Sequence, residues 1–426
     1  MNADSLEKAR RYRWLIFTIL AFGYILVYFH RLCPAVLAVD MMRDLNTTGA
    51  LTGLLGAAYF YPYALMQLPA GLLSDSWGPR NTITLFFIVA FAGSLLLGLA
   101  NSVLLAIVGR TLVGLGVAML FVPTLKILAE WFQAREFALM TGILMALGGV
   151  GSLIAATPLA WLSAWIGWRM AFVAVGVFTL LLAVLVYSFV RNRPSDMGWP
   201  SPAKQAATAE LEKIGLMQGV RRVLTCAGFW PVACWFFFEL AIFFTFGGLW
   251  GGPCLAHVYG MERAQAARIL SMLAIGMIIG SPCLSYASNN IFKGRKPVII
   301  LSSVMTLVLT GFLAFYTDRF STFGLYLLCL GFGIFTSAIV VIAFTNNKEL
   351  FPVQMAGTAT GLINLFPFAG GAVFQPLLGG ILEHYGRIGD RFTLQGYQSA
   401  FLVLFFCALI ALVASFFLKE TLETST

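Results

Sequence analysis

Apolar residues dominate long stretches of the chain, and short polar punctuation separates one stretch from the next. A hydrocarbon core about 30 Å thick needs roughly 20 apolar residues per helix. About twelve runs meet that need, near 14–38, 49–73, 81–100, 103–128, 138–164, 170–190, 227–250, 265–288, 298–316, 322–346, 355–382 and 397–418. Each is expected to be a membrane-spanning helix, which makes the fold class an all-α polytopic membrane protein of twelve transmembrane helices.

The pattern also repeats. Glu130-Trp131-Phe132 through Thr141-Gly142 recurs 219 positions later as Glu349-Leu350-Phe351 through Thr360-Gly361, and Trp165-Ile166-Gly167 falls on His384-Tyr385-Gly386. One six-helix half written twice is the simplest reading, with 1–190 as the first half and 227–426 as the second. A duplicated bundle places a cavity at its seam, near the bilayer midplane.

Composition agrees, since 60% of the residues are hydrophobic and 11% charged in a chain of 426. The segment 191–226 is the one clear change, with Pro194, Pro200, Pro202, Lys204, Glu210, Glu212 and Lys213 among small residues. It reads as a cytoplasmic linker, a flexible tether with a short amphipathic helix possible around 208–218. Lys8, Arg10, Arg11 and Arg13 precede a first run that is too long for a signal peptide and lacks a small-residue cleavage site. With the N-terminus inside, the inner segments hold seventeen Lys and Arg and the outer loops seven. Both termini are therefore expected in the cytoplasm, in a multi-pass protein of the inner membrane. The net charge of +9 follows from this topology and anionic lipid, and requires no nucleic acid. Seven scattered cysteines without CxxC spacing read as packing residues and indicate neither metal nor disulfides.

Between the second and third runs stands Gly71-Leu72-Leu73-Ser74-Asp75-Ser76-Trp77-Gly78-Pro79-Arg80. This stretch resembles the signature loop of the major facilitator superfamily. The resemblance implies two six-helix halves around a central cavity, and a gating role for Asp75 and Arg80, which pair across helix ends to close the cytoplasmic mouth. Arg110-Thr111-Leu112-Val113-Gly114-Leu115-Gly116 resembles the family's fourth-span motif, which makes Arg110 a gating or coupling residue. The second-half copy of the loop, near Gly280 to Pro297, is degenerate, so asymmetric gating is expected. Gly148-Gly149-Val150-Gly151 lacks the Gly-Pro pair of the family's antiporter motif, which disfavours a drug exporter.

Charges inside hydrocarbon cost several kcal/mol and persist only when paired or lining a wet cavity. Arg31 is the first such candidate, with Tyr24 and Tyr28 at i−7 and i−3 on one helix face. Tyr28-Phe29-His30-Arg31 also resembles the first-span arginine region of the family's organophosphate and organic-anion branches. A guanidinium fork matches carboxylate or phosphate; the competing reading pairs Arg31 with Glu239 for structure. Lys126 either binds substrate or pairs with Glu130 one turn on. Glu239, sharing a stripe with Trp235, Phe243, Phe246 and Trp250, is the proton-coupling candidate; an exchange mechanism through an Arg31–Glu239 pair stays open. Tyr59, Tyr63 and Gln67 in the second run, and Asn364, Phe368, Gly371 and Gln375 in the eleventh, form wettable faces that either line the cavity or glue helices together. The substrate-binding set is thus Arg31, Tyr24, Tyr28, Tyr59, Tyr63, Lys126, Asn364 and Gln375.

No phosphate-binding glycine loop with lysine, HExxH or GxSxG is present, so an enzyme is not expected, nor a cofactor. Without a nucleotide motif, energy must come from an ion gradient or exchange. The expectation is a monomeric secondary transporter of a small organic anion, a carboxylate or phosphorylated compound, moved by proton symport. Amino acid or nucleoside uptake is the alternative, and a transporter-like metabolite sensor the alternative of another class.

Overall fold

The computed structural model describes residues 3–200, 216–352 and 355–422. Among these, ten helices are long and apolar enough to cross a membrane: Ser5–Leu32, Pro79–Gly98, Val103–Trp131, Thr157–Phe189, Phe229–His257, Arg263–Ile291, Lys296–Phe315, Thr322–Glu349, Gly357–His384 and Leu394–Phe416. Two of the expected runs are built differently. The second is split into Gly49–Ala57, Phe60–Leu65 and Gln67–Ser76. The fifth is the helix Ala134–Ile154, followed by the long helix Thr157–Phe189, whose backbone breaks at Gly167 with φ 78°. These pieces accommodate the expected twelve crossings. Most of the proposed helix at 208–218 lies outside the described residues; the part in view opens the helix Leu216–Thr225.

Duplication shows in the backbone itself. Gly167 and Gly386, 219 positions apart in the repeat, both have positive φ, 78° and 77°. Only glycine adopts that region without a steric cost, so each half bends at the corresponding point.

The seventh span, Phe229–His257, which opens the second half, carries an irregularity that matters for the site. Between the helices Phe229–Ile242 and Gly251–His257, residues Phe243–Trp250 wind as a π-helix. Such a wide turn leaves carbonyls without regular partners. The Gln375 side-chain amide donates to the Phe244 carbonyl at 2.7 Å, and the Trp250 indole N–H donates to the Gln375 carbonyl at 2.9 Å. Pro376 makes a similar gap on its own helix, because it has no N–H for the Ala372 carbonyl. Tyr61, from the broken second run, fills it by donating its hydroxyl there at 2.9 Å.

Helix Gly49–Ala57 lies against helix Leu365–His384 through glycines. A Cβ at Gly49 would strike the Gly379 backbone, and one at Gly53 the Gln375 and Pro376 backbone. Gly252 likewise lies against the Ala35 backbone, leaving no room for a side chain. Small residues allow this approach, and van der Waals contact then holds helices that the bilayer would not otherwise press together.

Candidate functional site

Arg31 ends the first helix, Ala3–Leu32, and is 6% exposed. Its guanidinium carbon lies 4.4 Å from the Tyr28 ring centre, 4.8 Å from Phe368, 5.1 Å from Tyr63 and 5.7 Å from Phe244. Two rings come from each half of the chain. Tyr63 and Phe368 touch at 4.3 Å, and Phe244 stacks on Phe368 with planes 16° apart. Cation–π attraction offsets part of the desolvation of the guanidinium, but rings accept few of its hydrogen bonds. Nε is buried without a partner, and no carboxylate among the described residues lies within ion-pair distance. Tyr59 stacks on Tyr63 at 5.5 Å and donates its hydroxyl to the Val27 carbonyl at 3.2 Å. Tyr24 packs beside Tyr28 at 5.3 Å and donates to Met145 Sδ at 3.2 Å.

The ring cluster around Arg31 is bounded along the helices on both sides. On the Asp75 side, Asn364 Nδ2 donates to Gln67 Oε1 at 2.6 Å, and Gln67 Nε2 donates to the Tyr63 carbonyl at 3.0 Å. On the other side lies the glycine seam, where Gln375 is buried against Gly56 and Gly248. Gln375 therefore sits in the seam between halves, with its amide nitrogen on the Phe244 carbonyl and its Oε1 buried without a partner. Farther out, Glu383 accepts from the Gly49 backbone N–H at 2.7 Å and from Arg387 at 3.0 Å, while Arg387 donates to the Thr47 carbonyl at 2.9 Å. Asp40 forms an ion pair with Arg263, which joins the halves again.

The other ionisable candidates lie elsewhere. Lys126 pairs with Asp75 and donates to the Ser74 carbonyl at 3.1 Å, rather than reaching Glu130 or the rings around Arg31. Arg80 donates to the Tyr187 carbonyl and covers the Tyr187 ring at 4.6 Å, and its backbone N–H donates to Asn192 Oδ1 at 2.8 Å. The two loop charges thus grip different helices. Arg110 is fully buried, donates to the His30 carbonyl at 2.9 Å and lies 5.0 Å from the Tyr59 ring, with Nε and NH2 lacking partners.

Glu239 does not meet Arg31. It points into the second half, where Thr306 donates to Oε1 at 2.6 Å and Oε2 is buried without a partner. Trp235, one turn earlier, bonds Ser303 at 2.8 Å on the same neighbouring helix, so this end of the stripe faces the inside of its own half, while Trp250 reaches Gln375 at the seam.

Sequence reasoning missed the sign inversion at the degenerate loop. In the first half the loop acid Asp75 pairs with Lys126; in the second the loop base Arg295 pairs with Glu349 at 3.2 Å. Glu349 is the repeat partner of Glu130, which a closer reading of that alignment would have flagged.

The family model of the Major Facilitator Superfamily matches residues 20–373, with a second match over 236–425. The chain belongs to this superfamily. It is thus a membrane transporter rather than an enzyme. A protein described as a probable sulfoacetate transporter of Cupriavidus necator is 23% identical over 403 residues, covering 90% of each chain. The hexuronate transporter of Escherichia coli K12 is 25% identical over 403 residues, covering 89% of this chain and 90% of its own. Among solved structures, a bacterial homolog of the human lysosomal transporter Spinster, inward-facing and unoccupied, superposes with a TM-score of 0.75 at 18% identity. That match covers 97% of this chain and 99% of the other.

Proposed function

We propose that the protein is a secondary active transporter of a small organic anion, working by alternating access with Arg31 as the anion-binding group. One observation carries this: a desolvated guanidinium, without an acid partner among the described residues, held by rings from both halves between two bridged seams. A permanent positive charge in such a place is tolerated best if an anion visits it. Sulfoacetate and hexuronate, the solutes in the relatives' names, are both anions. An amino acid fits less well, because Glu239, which would have to take the ammonium group, is bound to Thr306 instead.

Glu239 is proposed as the proton carrier, since its second oxygen is buried and unpaired. Coupling then passes through the packing of the second half rather than through direct contact with Arg31. The end bearing Asp75 is proposed as cytoplasmic, with the glycine seam on the outer side. Tyr28, Tyr59 and Tyr63 serve as the polar wall, Asn364 as part of the inner closure, and Arg110 as a fixed charge within the first half.

The test is counterflow in proteoliposomes loaded with glucuronate. Wild type should accumulate labelled glucuronate, and Arg31→Gln should not. Binding without counterflow would favour a sensor, and an Arg31→Gln variant as active as wild type would overturn the reading.

A further inference from the structure

We propose that the Arg31 site selects a monocarboxylate joined to a flat apolar ring and rejects ligands carrying two negative charges. This deepens the organic-anion reading and rests on it.

Counting the cations gives the charge of the ligand. Of the basic side chains near the seam, Lys126 is held by Asp75 and the Ser74 carbonyl. Arg263 is held by Asp40. Arg110 is sealed behind the Tyr59 ring and bonded to the His30 carbonyl. Among the described residues Arg31 and Arg110 both keep an unpartnered Nε and no ion-paired acid, but only Arg31 is ringed by side chains from both halves. The second half faces it with Phe244 and Phe368, and closes below with Asn364; none of these is charged. One carboxylate satisfies one guanidinium through paired hydrogen bonds. A second anionic group would be stripped of water with no cation to meet it.

The walls give the shape. Phe60 and Phe244 both lie near-parallel to Phe368, with planes 20° and 16° apart. The rings are buried and packed on one another, so a ligand that reaches the fork must part them, and an aromatic body replaces their ring contacts better than a short flexible one. Sulfoacetate, with two charged ends and no ring, would fit poorly, whereas a uronate meets the charge count with its single carboxylate but brings a puckered, hydroxylated ring to apolar walls.

The experiment is isothermal titration of the purified protein at pH 7.5 with benzoate, acetate, phthalate, phenyl phosphate and benzyl alcohol. Phthalate adds only a second carboxylate to benzoate, and phenyl phosphate is mostly a dianion at this pH. Benzoate should bind at least tenfold more tightly than each of the others. Phe368→Ala should weaken benzoate at least fivefold and leave acetate within twofold. A dianion that matches or exceeds benzoate, and loses its affinity in Arg31→Gln, overturns the charge count while leaving the organic-anion reading intact. Acetate equal to benzoate overturns the flat-ring requirement. Benzyl alcohol binding as well as benzoate and unaffected by Arg31→Gln sinks the organic-anion reading itself, whereas silence from all five probes beside intact glucuronate counterflow overturns the present proposal alone. As a gain of function, Asn364→Lys places a second cation below the rings and should raise phthalate relative to benzoate at least tenfold. An unchanged ratio in a variant with a wild-type melting profile counts against the proposal.

Discussion

Gln67 and Asn364 are 297 residues apart in sequence, yet a single 2.6 Å hydrogen bond between them ties the halves together below Arg31. Both belong to helices that must separate if the Asp75 side is to open. A buried amide pair contributes about 0.5–1.5 kcal/mol net. Asn364→Ala should therefore speed amide hydrogen exchange in Gln67–Ser76 and Ala356–Ile363 by roughly threefold to tenfold. Unchanged exchange would show that this bond does not hold the closure.

Arg31→Lys keeps the charge but loses the planar fork, whereas Arg31→Gln loses both. Charge-assisted hydrogen bonds are worth about 1.5–3 kcal/mol. Anion affinity should fall about tenfold for the lysine variant and about a hundredfold for the glutamine variant. Equal losses would argue that only charge matters.

The two loop ion pairs should differ in strength. Asp75 has a side chain 72% exposed and Lys126 one 35% exposed, so their pair is screened. Arg295 is 12% exposed and also bonds Ser288 and Asn289. Glu349→Gln should lower the melting temperature more than Asp75→Asn. Exchanging Asp75 and Lys126 for one another should restore transport that Asp75→Asn slows. Identical melting shifts for the two single variants would contradict the exposure argument.

Glu239→Gln should abolish uptake driven by external acidification while sparing anion exchange, measured in proteoliposomes with and without a pH gradient. If the pH dependence is retained, Glu239 plays no part in coupling.

Acid should loosen the end of the helix Pro34–Asp44 that follows the first span. Asp44 is held below its ordinary carboxylate range, chiefly by the Trp168 indole N–H at 3.0 Å; burial opposes this, and Arg169 and Arg43 assist. A depressed carboxylate stabilises the fold above its unfolded value of about 4, and that contribution is lost as pH falls through the folded value. Melting temperature should thus drop less steeply from pH 5 to pH 3 in Asp44→Asn than in wild type. Parallel curves would remove Asp44 from acid sensitivity.

What the sequence made legible was whatever depended on apolar length and on repetition. The spans appear near their expected positions, and Gly167 and Gly386 bend at matching places. The arginine with its tyrosine at i−3 was readable because that helix winds regularly, so Tyr28 does lie over Arg31. Helical spacing also kept Tyr59 and Tyr63 together across a short break. Side-chain direction on the seventh span was not readable. Glu239 and Trp235 share a face, but periodicity cannot say whether that face meets the cavity or a helix of its own half, and Ser303 and Thr306 decide it. Lys126 escaped for another reason: its partner is 51 positions earlier, out of reach of any local pattern.

The wide winding at Phe243–Trp250 has a bearing on comparisons among relatives. It sets the rotational phase of everything downstream on that span, so Phe244 meets the arginine while Trp250 reaches across to Gln375. Loss of one residue there would shorten the span by only about 1.5 Å yet turn the following side chains by about 100°. Two chains could then share every lining residue in alignment and still show their ligands different walls.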